Sequence, residues 1–307
     1  MDYDIEGKKV LVTGGAGFIG SNLANNLTEN NEVVAQDDLY LGTPENINDD
    51  VEFVEESAVE HAPVEDVDLV FHIAALSSLN MHEENPCLGA RVNVEGFVNV
   101  VEEARKEGVE DVVYATTSSI YGSRTDPSSE SESVEARTNY EASKLSRERY
   151  AEAYSNRYGM DLAGLRFFSV YQGYGGAEEH KQEYANVIAQ FADDVASGEP
   201  PVLYGDGTQT RDFTHVDDVV RACKSAVGLD DIYNVGTGEA YSFNTVVEMI
   251  NDELGTEVEP EYIDNPIPEH VYVHDTCADY SKIHEAVGWE PEIDFGEGIQ
   301  MVCSQYK

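Results

Sequence analysis

Positive charge is what this sequence lacks most. Its 307 residues hold 18 lysines and arginines against 61 aspartates and glutamates, a formal net charge of −43. Such a field repels nucleic-acid phosphates and anionic membranes, so neither is expected as a partner. The acids are spread along the chain instead of forming a tail, which predicts an acid-coated folded surface. At about 1 M salt the screening length is roughly 3 Å, and like charges hardly repel. The balance therefore predicts a halophilic source and a fold that loosens in dilute buffer. Long apolar runs are missing too, and no signal peptide is legible ahead of Val10, so the expected location is cytoplasmic. Cysteine is scarce: Cys87, Cys223, Cys277 and Cys303 show no metal-ligand spacing. They read as small buried hydrophobes in a reducing compartment, with no metal site expected. An apolar fraction of 41% over this length suits one large α/β unit or two intimate lobes.

What is present begins at Val10. The apolar run Val10-Leu11-Val12-Thr13 leads into Gly14-x-x-Gly17-x-x-Gly20, and an amphipathic segment follows with Leu23, Ala24 and Leu27 on one face. That order reads as strand, tight turn and helix. Gly14 permits the turn, Gly17 lets backbone approach a pyrophosphate, and Gly20 lets the helix lie close to the strand. Phe18 and Ile19 then offer free N–H groups at a helix N-terminus. The next strand, Glu32 to Gln36, ends in Asp37 and Asp38, and Asp37 stands 17 residues past Gly20. A carboxylate there can bind the adenosine ribose hydroxyls and repels a 2′-phosphate, which favours NAD over NADP.

Apolar strands alternate with helical stretches to about residue 170. Strands are expected over 8–13, 32–36, 51–54, 68–73, 111–116 and 161–167, and helices over 18–29, 86–107 and 139–158. This is the signature of βαβ units and a doubly wound parallel sheet. Beyond residue 170, Pro and Gly clusters break the pattern. The expected organisation is a cofactor domain over 1–170 and a smaller substrate lobe, mostly 171–307. A strand near Ile232–Val235 should return to the main sheet.

Tyr140-Glu141-Ala142-Ser143-Lys144 opens the helix expected over 139–158. The i,i+4 spacing puts Tyr140 and Lys144 on one face. An ammonium near a phenol favours phenolate, which makes Tyr140 a candidate general base. The strand before it ends in Thr116, Thr117, Ser118 and Ser119, hydroxyls at the sheet edge where ligands bind.

With these motifs in hand, the chain resembles the extended short-chain dehydrogenases/reductases of the nucleotide-sugar epimerase/dehydratase group. The matching residues are Thr13-Gly14-x-x-Gly17-x-x-Gly20, Asp37, Phe71-His72-Ile73-Ala74-Ala75, Asn93-Val94-x-Gly96, Thr117, Tyr140-x-x-x-Lys144, Leu165 to Phe168, and Arg211-Asp212-Phe213-Thr214-His215-Val216-Asp217-Asp218. The resemblance implies a Rossmann domain, bound NAD, a nucleotide-diphosphate sugar as substrate, and a homodimer packed through helices near 91–107 and 139–158. It implies that Tyr140 takes a sugar hydroxyl proton, that Lys144 also holds the nicotinamide ribose, and that Thr117 steadies the sugar oxygen. Ala74 and Ala75 would line the cofactor cleft. Asn93 would sit near the nicotinamide, or serve only in capping or packing. Arg211 would bind the diphosphate, and Ser78, Ser118, Ser169 and Asn186 would contact the sugar nucleotide.

Relatives that eliminate or decarboxylate follow the active-site hydroxyl with an acid, whereas this chain has Ser118 and Ser119 there. That resembles the UDP-glucose 4-epimerases, with heptose 6-epimerases, dehydratases and net dehydrogenases as alternatives. Departures are visible. Ser169 replaces the family's usual Asn, and Ser57 stands where an Asp often touches adenine. Glu179-His180-Lys181 resembles the heptose 6-epimerases; His180 and Lys181 read either as solvated loop residues or as binders of a substrate phosphate or uronate.

Overall fold

Strands as apolar as these need cover on both faces. In the computed structural model, which describes residues 5–307, the cover comes from helices on either side of one sheet. Its strands are β1 (Lys9–Thr13), β2 (Glu32–Asp37), β3 (Glu52–Glu55), β4 (Leu69–His72), β5 (Asp111–Thr117), β6 (Asp161–Phe167) and β7 (Ile232–Val235). They lie in the order β7-β6-β5-β4-β1-β2-β3, all parallel. The chain winds outward in both directions from β1, so a crevice opens at the carboxyl ends of β1 and β4. This is a Rossmann-like α/β fold. Val10 and Val12 face one layer with Leu23, Phe71 and Val219. Leu11, between them, faces the other with Val34, Val70, Phe97 and Val101.

The helices are α1 (Phe18–Leu27), α2 (Leu79–Glu84), α3 (Pro86–Ala90), α4 (Gly96–Glu107), α5 (Asn139–Tyr158), α6 (Val187–Ser197), α7 (Val216–Ser225), α8 (Phe243–Leu254), α9 (Ser281–Val287) and α10 (Phe295–Ser304). The single helix expected over 86–107 is instead three pieces. Between α3 and α4 lies a π turn, Arg91–Glu95. Its wider turn accompanies an inward-facing Asn93, which is fully buried. Helix α5 is delimited as its sequence suggests: Thr138 accepts the Glu141 N–H, and Gly159 ends the helix in the left-handed region.

A second core joins α6, α8 and α10 through Phe191, Phe213, Phe243, Ile250, Phe295 and Ile299. The chain beyond residue 171 is shared between the lobes. Val219 and Cys223 of α7, Val235 of β7 and Ile283 of α9 all pack with the main sheet. Cys223, Cys277 and Cys303 are buried, but Cys87, on α3, is exposed, against expectation; all are free thiols. Among the described residues no helix is long and apolar enough to cross a membrane, and no His/Cys/Asp/Glu group could hold a metal.

Candidate active site

Backbone builds the first half of the site. Gly14 turns the chain out of β1 at φ +70, and a Cβ there would stand 2.6 Å from the Ala74 nitrogen. A Cβ on Gly20 would collide with the Gly14 carbonyl. Helix α1 therefore starts tight against β1. Its N-cap is Gly17, with no capping side chain and no acid in the first turn. The N–H groups of Phe18 and Ile19 are left for an anion. At the end of β2, Asp37 accepts the Ala16 N–H at 3.1 Å and the Leu39 N–H at 2.9 Å. Burial raises its pKa, and these backbone bonds pull it back. Asp38 and Ser57 stand beside it.

These elements wall a cavity of about 500 Å³ that runs from Asp37 and Ser57 past Gly14 and Ala74 to Tyr140, and on to Arg211. Phe18, Ile19, Ala75, Ser118, Ser169, His180 and Lys181 also line it. Ser169 sits at φ +21. Lys181 places its ammonium 5.3 Å from the Phe18 ring centre, so it is not a solvated loop residue.

The reacting cluster lies where β5 meets α5. Lys144 is buried, and its ammonium donates to the Ala115 carbonyl at 3.3 Å. Burial, then the charge of Arg147, holds its pKa well below the ordinary lysine value. Burial raises the Tyr140 phenol, while a hydrogen bond from Thr117 and the Arg147 charge lower it. Thr117 also accepts the Ser119 N–H at 3.2 Å.

On the far wall, Arg211 lies between the Phe243 and Tyr272 rings. It donates to the carbonyls of Thr210 and His274, each at 2.8 Å, and of Val273 at 2.6 Å. Three of its five N–H donors are thus taken, and a hydrogen bond with Tyr272 further fixes the fork. Behind it, Asp212 accepts from Thr237, Gly238 and Ala278 at 2.7–2.9 Å.

Three residues expected at the ligand do not line the cavity, and their side chains bond within the fold. Asn93 lies outside the cavity wall. Its amide donates to the Leu76 carbonyl at 3.0 Å and to Ser143 at 2.9 Å, and its oxygen accepts the Leu76 N–H at 2.8 Å. Ser78 caps α2. Asn186 caps α6 and donates to the Val170 carbonyl at 3.1 Å. Sequence reasoning missed Arg147, fully buried on α5. It also missed the buried Glu148–Arg166 pair at 2.7 Å, which takes the Thr116 hydroxyl. Helical spacing from Lys144 could have found Arg147.

The glycine cradle, the uncapped helix start and the Asp37 carboxylate at the end of β2 fit a dinucleotide. The profile of the NAD dependent epimerase/dehydratase family matches residues 10–236. The chain is 37% identical to a putative UDP-glucose 4-epimerase of Methanocaldococcus jannaschii, over 97% of this chain and 98% of that one. Among solved structures it is similar to the UDP-N-acetylglucosamine 4-epimerase of Methanobrevibacter ruminantium bound to UDP-N-acetylmuramic acid, with TM-score 0.90, 29% identity, and 98% and 99% of the two chains covered. It is also similar to the UDP-glucose 4-epimerase of Thermus thermophilus with NAD, with TM-score 0.86, 34% identity, and 97% and 98% covered. The site and these likenesses agree: this chain belongs to the NAD dependent epimerase/dehydratase family and uses NAD as its cofactor.

Proposed function

We propose that the protein is a UDP-sugar 4-epimerase of the UDP-glucose/UDP-galactose type. One observation carries the choice. The carboxylates lining the cavity are Asp37, Asp38 and Glu56, at the ends of β2 and β3. Strand β2 is three strands from β5, roughly 14 Å at sheet spacing. No cavity-lining acid therefore stands beside Thr117 and Tyr140 to protonate a leaving hydroxyl, as elimination requires, and Glu141, next to Tyr140, is buried and bound to Arg137. Hydroxyls and a lysine suffice for oxidation and re-reduction at one carbon.

In this reading Tyr140 takes the proton of the sugar 4-hydroxyl, and Thr117 and Ser118 hold that oxygen. NAD, when bound, would supply a reversible hydride acceptor, so that no net redox would result. Lys144 holds the nicotinamide ribose and supports the phenolate. Arg211 keeps the diphosphate fixed while the 4-keto sugar turns its other face, and Tyr140 then gives the proton back. Asp37 binds the adenosine ribose. The protein works as a homodimer through α4 and α5, where Tyr150 and Tyr158 are exposed.

The test is proton NMR of NAD-loaded protein in molar KCl with UDP-glucose, UDP-N-acetylglucosamine and UDP-glucuronate in separate samples. A C4-epimer signal without NADH build-up is expected from one of them. His180 and Lys181, which line the cavity, make the uronate worth including. Stoichiometric NADH would instead show a net dehydrogenase. Silence with all three sugars would reject the UDP-sugar assignment and favour a heptose-type substrate.

A further inference from the structure

Tyr140, Lys144 and Arg147 follow at i, i+4 and i+7, so one face of α5 carries all three. Arg147 is 0% exposed. Among the described residues its guanidinium meets no carboxylate and instead binds three backbone carbonyls. Nε donates to Asn93 at 2.7 Å, Nη1 to Ala115 at 3.2 Å and Nη2 to Ala74 at 2.8 Å. These carbonyls belong to the π turn, to β5, and to the segment leaving β4. Ala74 and Ala115 line the cavity, and Ala115 is the carbonyl that also receives the Lys144 ammonium. The π turn, offset from α-helical bonding, presents the Asn93 carbonyl to this fork.

Ion pairing does not explain a buried cation in a chain so poor in bases. The groups around it are Tyr140 and Lys144 on α5, Tyr114 on β5, His72 on β4 and His82 on α2. Burial lowers the pKa of both histidines and of Lys144. Burial also lowers the Arg147 guanidinium, but only to about 10, so it stays charged in the neutral range.

We infer that Arg147 is a positioning residue for the Tyr140–Lys144 pair, a fixed buried cation that ties the segment leaving β4, strand β5 and the π turn to α5. Its planar fork sets where the Ala115 carbonyl stands, and so where Lys144 stands. Its charge, together with the Thr117 hydrogen bond, opposes the rise that burial gives the Tyr140 phenol.

The inference rests on Tyr140 being the base, and the experiment separates the two claims. The NAD-loaded protein is labelled with 13Cζ-tyrosine and titrated by NMR in molar KCl. The Tyr140 signal is assigned by its loss in Tyr140→Phe. In Arg147→Gln the Tyr140 midpoint should rise by about one pH unit, as loss of a nearby opposite charge requires. The alkaline shift should appear equally in the pH profile of kcat for the UDP-sugar that the enzyme turns over, with KM little changed. Arg147→Met, which keeps the apolar stem, should shift the midpoint the same way. Arg147→Lys keeps the charge and should hold the midpoint within roughly half a unit. A folded Gln or Met variant with an unmoved Tyr140 midpoint would overturn the inference and leave Arg147 a purely structural tie. If neither neutral variant folds, Arg147→Lys decides alone: a full-unit rise there also overturns it. A near-normal turnover in Tyr140→Phe would instead remove the base assignment, whatever Arg147 does.

Discussion

The two ends of the cleft are made differently. The cofactor end comes from one short stretch, Val10 to Asp38, and mainly from backbone: a left-handed Gly14, an uncapped helix start and one carboxylate. The substrate end gathers Thr117, Tyr140, Ser169, Lys181 and Arg211 from five separate segments. Its groups are long or polar side chains, held by carbonyls and caps from elsewhere in the fold. An end built of local backbone geometry leaves its trace in consecutive residues. An end built of convergent side chains does not, because the convergence belongs to the packing.

The contrast can be broken by mutation. Tyr140→Phe should cut turnover by roughly 10²–10⁴-fold while NAD binding stays the same, because a base is lost without touching the cradle. Turnover and equilibrium NAD titration on one preparation check this, and parallel losses would show that the two ends are not separable. Arg211→Lys should raise the KM for the UDP-sugar by about 10-fold and leave NAD affinity unchanged, since a point charge cannot hold three carbonyls and a phosphate together. A kcat loss at constant KM would move Arg211 from binding to chemistry. Asp37→Ala should weaken NAD and narrow its preference over NADP by about 10-fold, as removal of a ribose-binding acid predicts. An unaltered cofactor ratio would reject that role.

Two smaller effects concern the whole fold. The melting temperature should rise by several degrees or more between dilute buffer and molar KCl, as about 3 Å screening relieves a net charge of −43. A flat salt dependence would dissociate the acid coat from salt adaptation. His72 is fully buried with its pKa far below the ordinary value, chiefly from burial. The unfolded chain therefore binds a proton that the folded chain refuses. This contribution to stability is whole above about pH 6.5 and is lost as pH falls below it, by about 1.4 kcal/mol per pH unit. Urea midpoints at pH 7 and pH 5.5 should differ in that direction, and less so in His72→Gln.

Much of the fold was legible. Strands β1 to β6, helix α5 and the return of β7 follow from apolar runs and caps. Helices α6 to α10 were not foreseen, because Gly and Pro clusters between them masked helical spacing in α6 and α8. The break at Asn93 was also invisible: Asn is ordinary in a helix until Leu76 and Ser143 come within reach of its amide. At the site, Tyr140, Lys144, Thr117 and Asp37 were readable from spacing and motif. Ser78 and Asn186 were motif positions that the fold uses as caps.

The sequence by itself determined the doubly wound sheet, the dinucleotide cradle and the tyrosine–lysine face of α5, because each depends on neighbours within about two turns or one strand. Tertiary structure alone decided which polar groups stayed free to meet a ligand. Asn93, Ser78 and Asn186 were taken up by partners within the fold, whereas Lys181 was carried into the cavity. It also decided what surrounds the phenol: burial raises its pKa, while Thr117 and Arg147 lower it. Desolvation and long-range carbonyl contacts are properties of the packed interior, and no local spacing encodes them.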